Sequence, residues 1–219
     1  MTVELKPHDT ETKPRYVLVN DEIHHVSDYH GLPIKDRPEA ICPVCNERVI
    51  MRLGEIREDH FAHYPDSDCA LKNPETAIHF NAKMHIVRIL QNINKIYRRD
   101  IWQCCKKKHR ILWVANWDDV QYEYRYKDLI PDITILKNGQ VVACIEIVVT
   151  HAVDEIKANK YTAYNIPWIE LTSIKALEWN GRRYLFENIV ENKCFSCLSK
   201  LGTLHNIRTG KTYQVLSIR

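Results

Sequence analysis

No stretch of the chain approaches the roughly 18 consecutive apolar residues of a membrane-spanning helix. The opening MTVELKPHDTETKPR also lacks the apolar centre of a secretory signal. Neither a membrane span nor an export leader is expected, and the chain is expected to be soluble and cytoplasmic. Internal repeats and low-complexity linkers are missing too, which rules out a solenoid or a tethered array. Charge of one sign is scarce: a formal net charge of +3 permits an anionic partner and excludes only a strongly acidic protein. What the chain does have is eight cysteines and eleven histidines. In a reducing compartment the thiols stay reduced, so clustered Cys and His point to zinc rather than to disulfides.

The 219 residues have room for one ordinary domain and a small appendage, and can bury roughly 70% of the surface an unfolded chain exposes. Residues 1–73 are polar and turn-rich, with Val17 to Val19 and Ile23 to Val26 flanking Asn20-Asp21 as a hairpin. They hold too little apolar surface to fold well without a staple. From Glu75 to about Tyr97, Ile78, Ala82, Ile86, Ile89 and Ile93 recur at helical spacing after Pro74. Then come three strands expected in one sheet, Ile111 to Trp117, Leu129 to Leu136 and Val141 to Val149. Asn138-Gly139 turns the last pair. A helix over Ala152 to Asn165 and a strand over Pro167 to Leu171 complete an α/β core within 74–190. A tail, 191–219, carries Cys194, Cys197 and a last hairpin across Arg208 to Lys211.

Two Cys/His clusters have ligand spacing. Cys42-Pro-Val-Cys45 is followed by His60-Phe-Ala-His63 and Cys69. Zinc takes four tetrahedral ligands, so four of these five are expected to bind it, with Cys42, Cys45, His63 and Cys69 preferred and His60 the substitute. With four protein ligands no position is open to a catalytic water, and the role is structural. The second set is Cys104, Cys105, His109, Cys194 and Cys197, again four of five, which would staple the tail to the sheet. Between them Lys106, Lys107, Lys108 and Arg110 form a basic tip suited to a phosphate backbone, or simply to the solvated turn of a hairpin.

Carboxylates supply the remaining signal. Asp132 follows Pro131 at the start of an apolar strand, and Glu146 lies within the apolar run Ala143 to Val149. A carboxylate so placed is costly unless paired or bound to a cation. Two on neighbouring strands can hold Mg or Mn, which would lower the pKa of an attacking water and stabilise charge developing on phosphorus. Glu75, His79 and Lys83 recur every four residues along one helix face and could complete the site.

Pro131-Asp132, the hairpin and Glu146-Ile-Val148 resemble the PD-(D/E)xK nuclease superfamily. The Cys42, Cys45, His60, His63 pattern followed by Glu75-x3-His79-x3-Lys83 resembles its competence protein CoiA-like branch, over about residues 40 to 173. The resemblance implies a restriction-endonuclease-like mixed sheet behind an N-terminal zinc-binding module. It implies Asp132 and Glu146 as metal ligands and Glu75 as an assisting carboxylate. Val148 stands where the superfamily has lysine. Lys157 on the following helix, or Lys83, could return an ammonium group to the site, with Lys157 favoured. The expected function is a metal-dependent endonuclease or exonuclease on nucleic acid, DNA ahead of RNA, with competence, phage defence and counter-defence all fitting. The rivals are a degenerate nuclease fold that binds without cutting and a zinc-dependent adaptor with a protein partner.

Overall fold

The computed structural model describes residues 12–54 and 58–191, and two short strands beyond them. Its elements run β1 (Tyr16–Val19), β2 (Glu22–His25), β3 (Ala40–Ile41), β4 (Arg48–Arg52), β5 (His60–Ala62), α1 (Pro74–Gln91), β6 (Lys95–Trp102), β7 (Lys108–Ala115), β8 (Asp119–Tyr122), β9 (Ile133–Lys137), β10 (Gln140–Val148), α2 (Glu155–Ala163), β11 (Trp168–Thr172), α3 (Ser173–Glu178), β12 (Glu187–Val190), β13 (Thr203–His205) and β14 (Thr212–Gln214). This is a mixed α/β architecture with several sheets and few helices. No helix of the described residues is long and apolar enough to cross a membrane.

The chain divides into two compact units, residues 1–94 with 116–180, and residues 95–115 with 181–219. The cuts fall elsewhere than the expected divisions at 73 and 190. In the first unit β1 to β5 form a sheet in the order β2-β1-β3-β4-β5, and β8 to β11 a second in the order β11-β10-β9-β8. The β1–β2 hairpin turns on Asn20 and Asp21, both at positive φ (52° and 65°), as a two-residue turn requires. Asn138 (φ 50°) and Gly139 (φ 71°) do the same between β9 and β10. Strand β11 returns parallel to β10 through α2, with Glu146 opposite Glu170 and Val148 opposite Thr172.

Alternation along β10 sets the two faces of this sheet. Cys144 and Glu146 turn toward α2, where Cys144, Tyr161, Leu129 and Ile166 make a buried cluster. Ile145 and Ile147 turn the other way, toward the side on which α1 packs. Helix α1 starts where Asn73 accepts the amides of Glu75 and Thr76, with Pro74 in its first turn. It buries Ala77, Phe80, Met84, Val87 and Leu90.

Three expectations are corrected here. The helix ends at Gln91, not near Tyr97. Asn92 closes it through its own side chain on the Arg88 carbonyl, and the chain then continues as strand β6, which buries Ile96 and Asp100. The strand expected at Ile111 to Trp117 is β7, which joins β6 and β12 in the second unit's sheet, order β12-β6-β7. The core sheet's outer strand is instead β8, a segment of four residues whose polar-apolar alternation is too short to mark it as a strand. Strand β9 begins at Ile133, because Pro131 and its neighbours form the loop before it. Strands β13 and β14 pair antiparallel, as the tail hairpin required.

A pH response follows from His25 in the β2 turn. Its Nδ1 accepts the Ser27 amide (3.2 Å). Burial, then the charges of Arg15 and Arg88, push its pKa down to about 4. The unfolded chain binds a proton at His25 below about 6.5 and the folded chain does not, so this contribution is intact above 6.5 and is lost as pH falls from 6.5 to about 4. Denaturant midpoints are expected to drop over that window by about 1–2 kcal/mol more in the parent than in His25→Gln, after discounting for the ring's partial exposure. Parallel curves for the two proteins would remove His25 from the cause.

Candidate functional site

The first cluster assembles from three places in the N-terminal sheet. The turn between β3 and β4 is a knuckle: Asn46 at φ 59° lets its amide reach the Cys42 carbonyl (2.9 Å), and the Val44 amide points at Cys42 Sγ (3.4 Å). His63 follows β5, whose Phe61 is buried, and Cys69 sits just before α1's leading turn. Ligand atoms of Cys42, Cys45, His63 and Cys69 all lie within 4.8 Å of one another. Cys42 and Cys69 sulfurs are 3.8 Å apart, and Cys45 Sγ lies 3.5 Å from His63 Nε2. A tetrahedron with Zn–S near 2.3 Å and Zn–N near 2.05 Å places two sulfurs about 3.8 Å apart and a sulfur and nitrogen about 3.5 Å apart. The cluster therefore has the dimensions of a site for a metal such as zinc. His60 is outside it, its Nδ1 donating to the Glu58 carbonyl (2.9 Å).

The site's protonation is consistent with a cation-dependent cluster. Burial pushes the Cys42 thiol up and the Cys45 thiol up to about 12. Burial also lowers His63, leaving it neutral and able to ligate at pH 7. Around the ligands, Ser67 donates to Glu47 (2.5 Å) and receives the Cys69 amide (3.3 Å), and Lys72 holds the Pro65 and Ser67 carbonyls.

The carboxylates meet at one end of β10. Asp132 Oδ2 accepts from His79 Nε2 (3.1 Å) and from the Ile147 amide (2.8 Å). Burial pushes Asp132 up, but the His79 bond and charge, the Ile147 amide and the Lys83 charge together hold it below its usual range. Glu146, 2% exposed, accepts on Oε1 from Tyr161 and from Lys157 Nζ (2.7 Å). Burial raises its pKa, and Asp132's charge adds to that rise against the Lys157 and Tyr161 bonds. These bonds fall on Asp132 Oδ2 and Glu146 Oε1.

Sequence arranges this on α2. Asp154 caps the helix by accepting the Lys157 amide (2.7 Å), and Tyr161, one turn on, lands on the same face as Lys157. Glu170 of β11 accepts the Val153 amide (2.7 Å) and fixes the approach to the cap. On the α1 side, Thr150 donates to Glu75 Oε1 (2.5 Å) and so receives His151 Nδ1–H (2.7 Å), leaving Nε2 as that ring's basic nitrogen. Glu75, Thr76, His79, Ile147, Val149, Thr150 and His151 line an open cleft of about 390 Å³. Lys83 is buried and its ammonium is held by Glu123 (2.5 Å), so it reaches Asp132 only through its field.

Residues 33–72 match the family model for the N-terminal domain of competence protein CoiA. The chain carries a CoiA-type N-terminal domain. No curated protein and no solved structure matches the chain. The CoiA-type stretch contains all four residues of the metal cluster, so the match and the geometry fall on the same segment.

Beyond that module, the second Cys/His set is described only in part. Cys104, Cys105 and His109 lie at the β6–β7 turn, where the Cys105 and Lys106 amides both reach the Trp102 carbonyl, while Cys194 and Cys197 lie outside the described residues. Lys106, Lys107, Lys108 and Arg110 are exposed there. Sequence reasoning missed Tyr161, Glu170, Thr150 and Glu123 as partners of the site. Only Tyr161 had a usable signal, its helical spacing from Lys157.

Proposed function

We propose that the chain is a divalent-metal-dependent nuclease with a restriction-endonuclease-like core, cutting nucleic acid, DNA ahead of RNA, behind a structural zinc module. The observation that carries this reading is Lys157 Nζ at 2.7 Å from the buried Glu146, because it returns to the site the cation that Val148 cannot supply. Asp132 and Glu146 would hold Mg or Mn, and such an ion would supply an activated water and neutralise charge on phosphorus. His79 and the Ile147 amide orient Asp132, and Tyr161 fixes the Glu146 carboxylate. Lys157 sits where it can also donate to a developing oxyanion. Glu75 and His151 border the cleft through which a phosphodiester would approach.

Plasmid, single-stranded DNA and RNA incubated with Mg or Mn test the reading directly. Metal-dependent cutting of at least one is expected, and none on any substrate would overturn it. Val148 favours a second reading, a nuclease fold that binds without cutting. In that case the parent is inert and Val148→Lys gains cutting.

A further inference from the structure

The sheet of the second unit carries a feature that cutting does not need. Register places Arg99 of β6 directly opposite Arg110 of β7 and Glu187 of β12, Ile101 opposite Lys108 and Ile189, and Tyr97 opposite Leu112. Directly opposed residues share a face, so these side chains form one surface. On it the Arg110 guanidinium lies 3.7 Å over the Tyr97 ring and Arg99 lies 4.0 Å over Tyr184. Lys108 and Arg110 are exposed, and so are Leu112 (49%) and Ile189 (63%).

Two like charges placed opposite each other on a sheet work against its stability, and only Arg99 has an acidic partner, Glu187. Exposed leucine and isoleucine beside them add apolar surface that water covers poorly. An anionic polymer with planar apolar bases answers both features. A guanidinium held flat on a ring is already ordered, keeps N–H edges for phosphate and offers its outer plane to a base. Duplex buries its bases and could use only the charge, leaving Leu112 and Ile189 uncovered.

We propose that this face of the β12-β6-β7 sheet binds single-stranded nucleic acid, with Arg110 as the stacking and phosphate-binding plane, Lys108 on the backbone, and Leu112 and Ile189 under unstacked bases. The binding is independent of the nuclease reading, since it needs neither Asp132 nor Glu146 nor a divalent ion.

Fluorescence anisotropy of the full chain, in zinc-containing buffer free of Mg and Mn, tests it with labelled oligothymidylate, oligouridylate and a duplex, each about 20 nucleotides long. Micromolar or tighter binding of the single strands is expected at low salt, weakening steeply as salt rises, with duplex several-fold weaker. A preference for thymidylate or uridylate supports the surface and names the strand it takes. Arg110→Ala is expected to weaken binding about tenfold, and Arg110→Lys to recover only part, because an ammonium keeps the charge but not the plane. Lys108→Ala and Leu112→Ser on the exposed side of β7 guard against a folding defect in the first variant. No binding by the parent up to about 100 µM, duplex bound as tightly as single strand, or unchanged affinity in all these variants would each overturn the proposal. Cutting that survives lost binding, or binding that survives lost cutting, separates this surface from the nuclease site.

Discussion

Asp132→Asn and Glu146→Gln are each expected to abolish metal-dependent cutting, by about a thousandfold or more, while circular dichroism and thermal unfolding stay close to the parent. Asparagine can still accept the Ile147 amide through its carbonyl, so the loop before β9 keeps its anchor and loses only its charge. Glutamine at 146 keeps the side-chain volume and a carbonyl that Tyr161 can donate to, and the Lys157 ammonium it leaves is 28% exposed and can reach water, so the loss of stability is small. Lys157→Ala is expected to lower the rate by about a hundredfold, since the cation is lost but both metal-binding carboxylates remain. Lys83→Ala separates the two lysines. Its ammonium is buried against Glu123, so its loss should act on stability more than on rate. Parent-like rates in Asp132→Asn would overturn the assignment, and a rate loss in Lys83→Ala exceeding that in Lys157→Ala would move the cation to α1.

How far the sequence disclosed this arrangement depends on whether the deciding interaction is local. Asp154 and Lys157 sit within one helical turn, and the strand before them is short-linked, so a lysine returning over the strand's end was legible. The knuckle at Cys42 to Cys45 is likewise a property of four residues and a following turn. The end of α1 was not, because Ile93 and Ile96 continue the helical spacing of Ile86 and Ile89, and the choice is made by Asn92's cap and by pairing with β7. Strand β8 shows its identity through pairing with β9, since four alternating residues between loops are too few to read as a strand alone. Lys83 shows the reverse failure: its spacing from Glu75 and His79 is helical and correct, yet Glu123, distant in sequence, claims its charge.

Metal removal should produce the largest change in stability. Purified protein is expected to hold close to one zinc per chain, with a second only if Cys104 or Cys105 and His109 join Cys194 and Cys197. Cys42→Ser and Cys69→Ser should lose the first ion and cost about 3–5 kcal/mol, lowering the melting temperature by about 10 °C or more. The reason lies in what the four ligands join. The β3–β4 turn, the end of β5 and the lead-in to α1 meet at Cys42, Cys45, His63 and Cys69, and each of those segments is short. Without a cation, burial keeps the thiols protonated and the cluster has no charge to close around. Loss should propagate to Asn73 and the start of α1, and therefore to Glu75, so chelation is expected to reduce cutting as well as stability. His60→Ala and Cys144→Ala are the controls. His60 bonds only a carbonyl next to it and Cys144 is a buried thiol of β10, so neither should change the zinc content. Less than half an equivalent of zinc in the parent, with a melting temperature indifferent to strong chelator, would falsify the structural role assigned to the cluster.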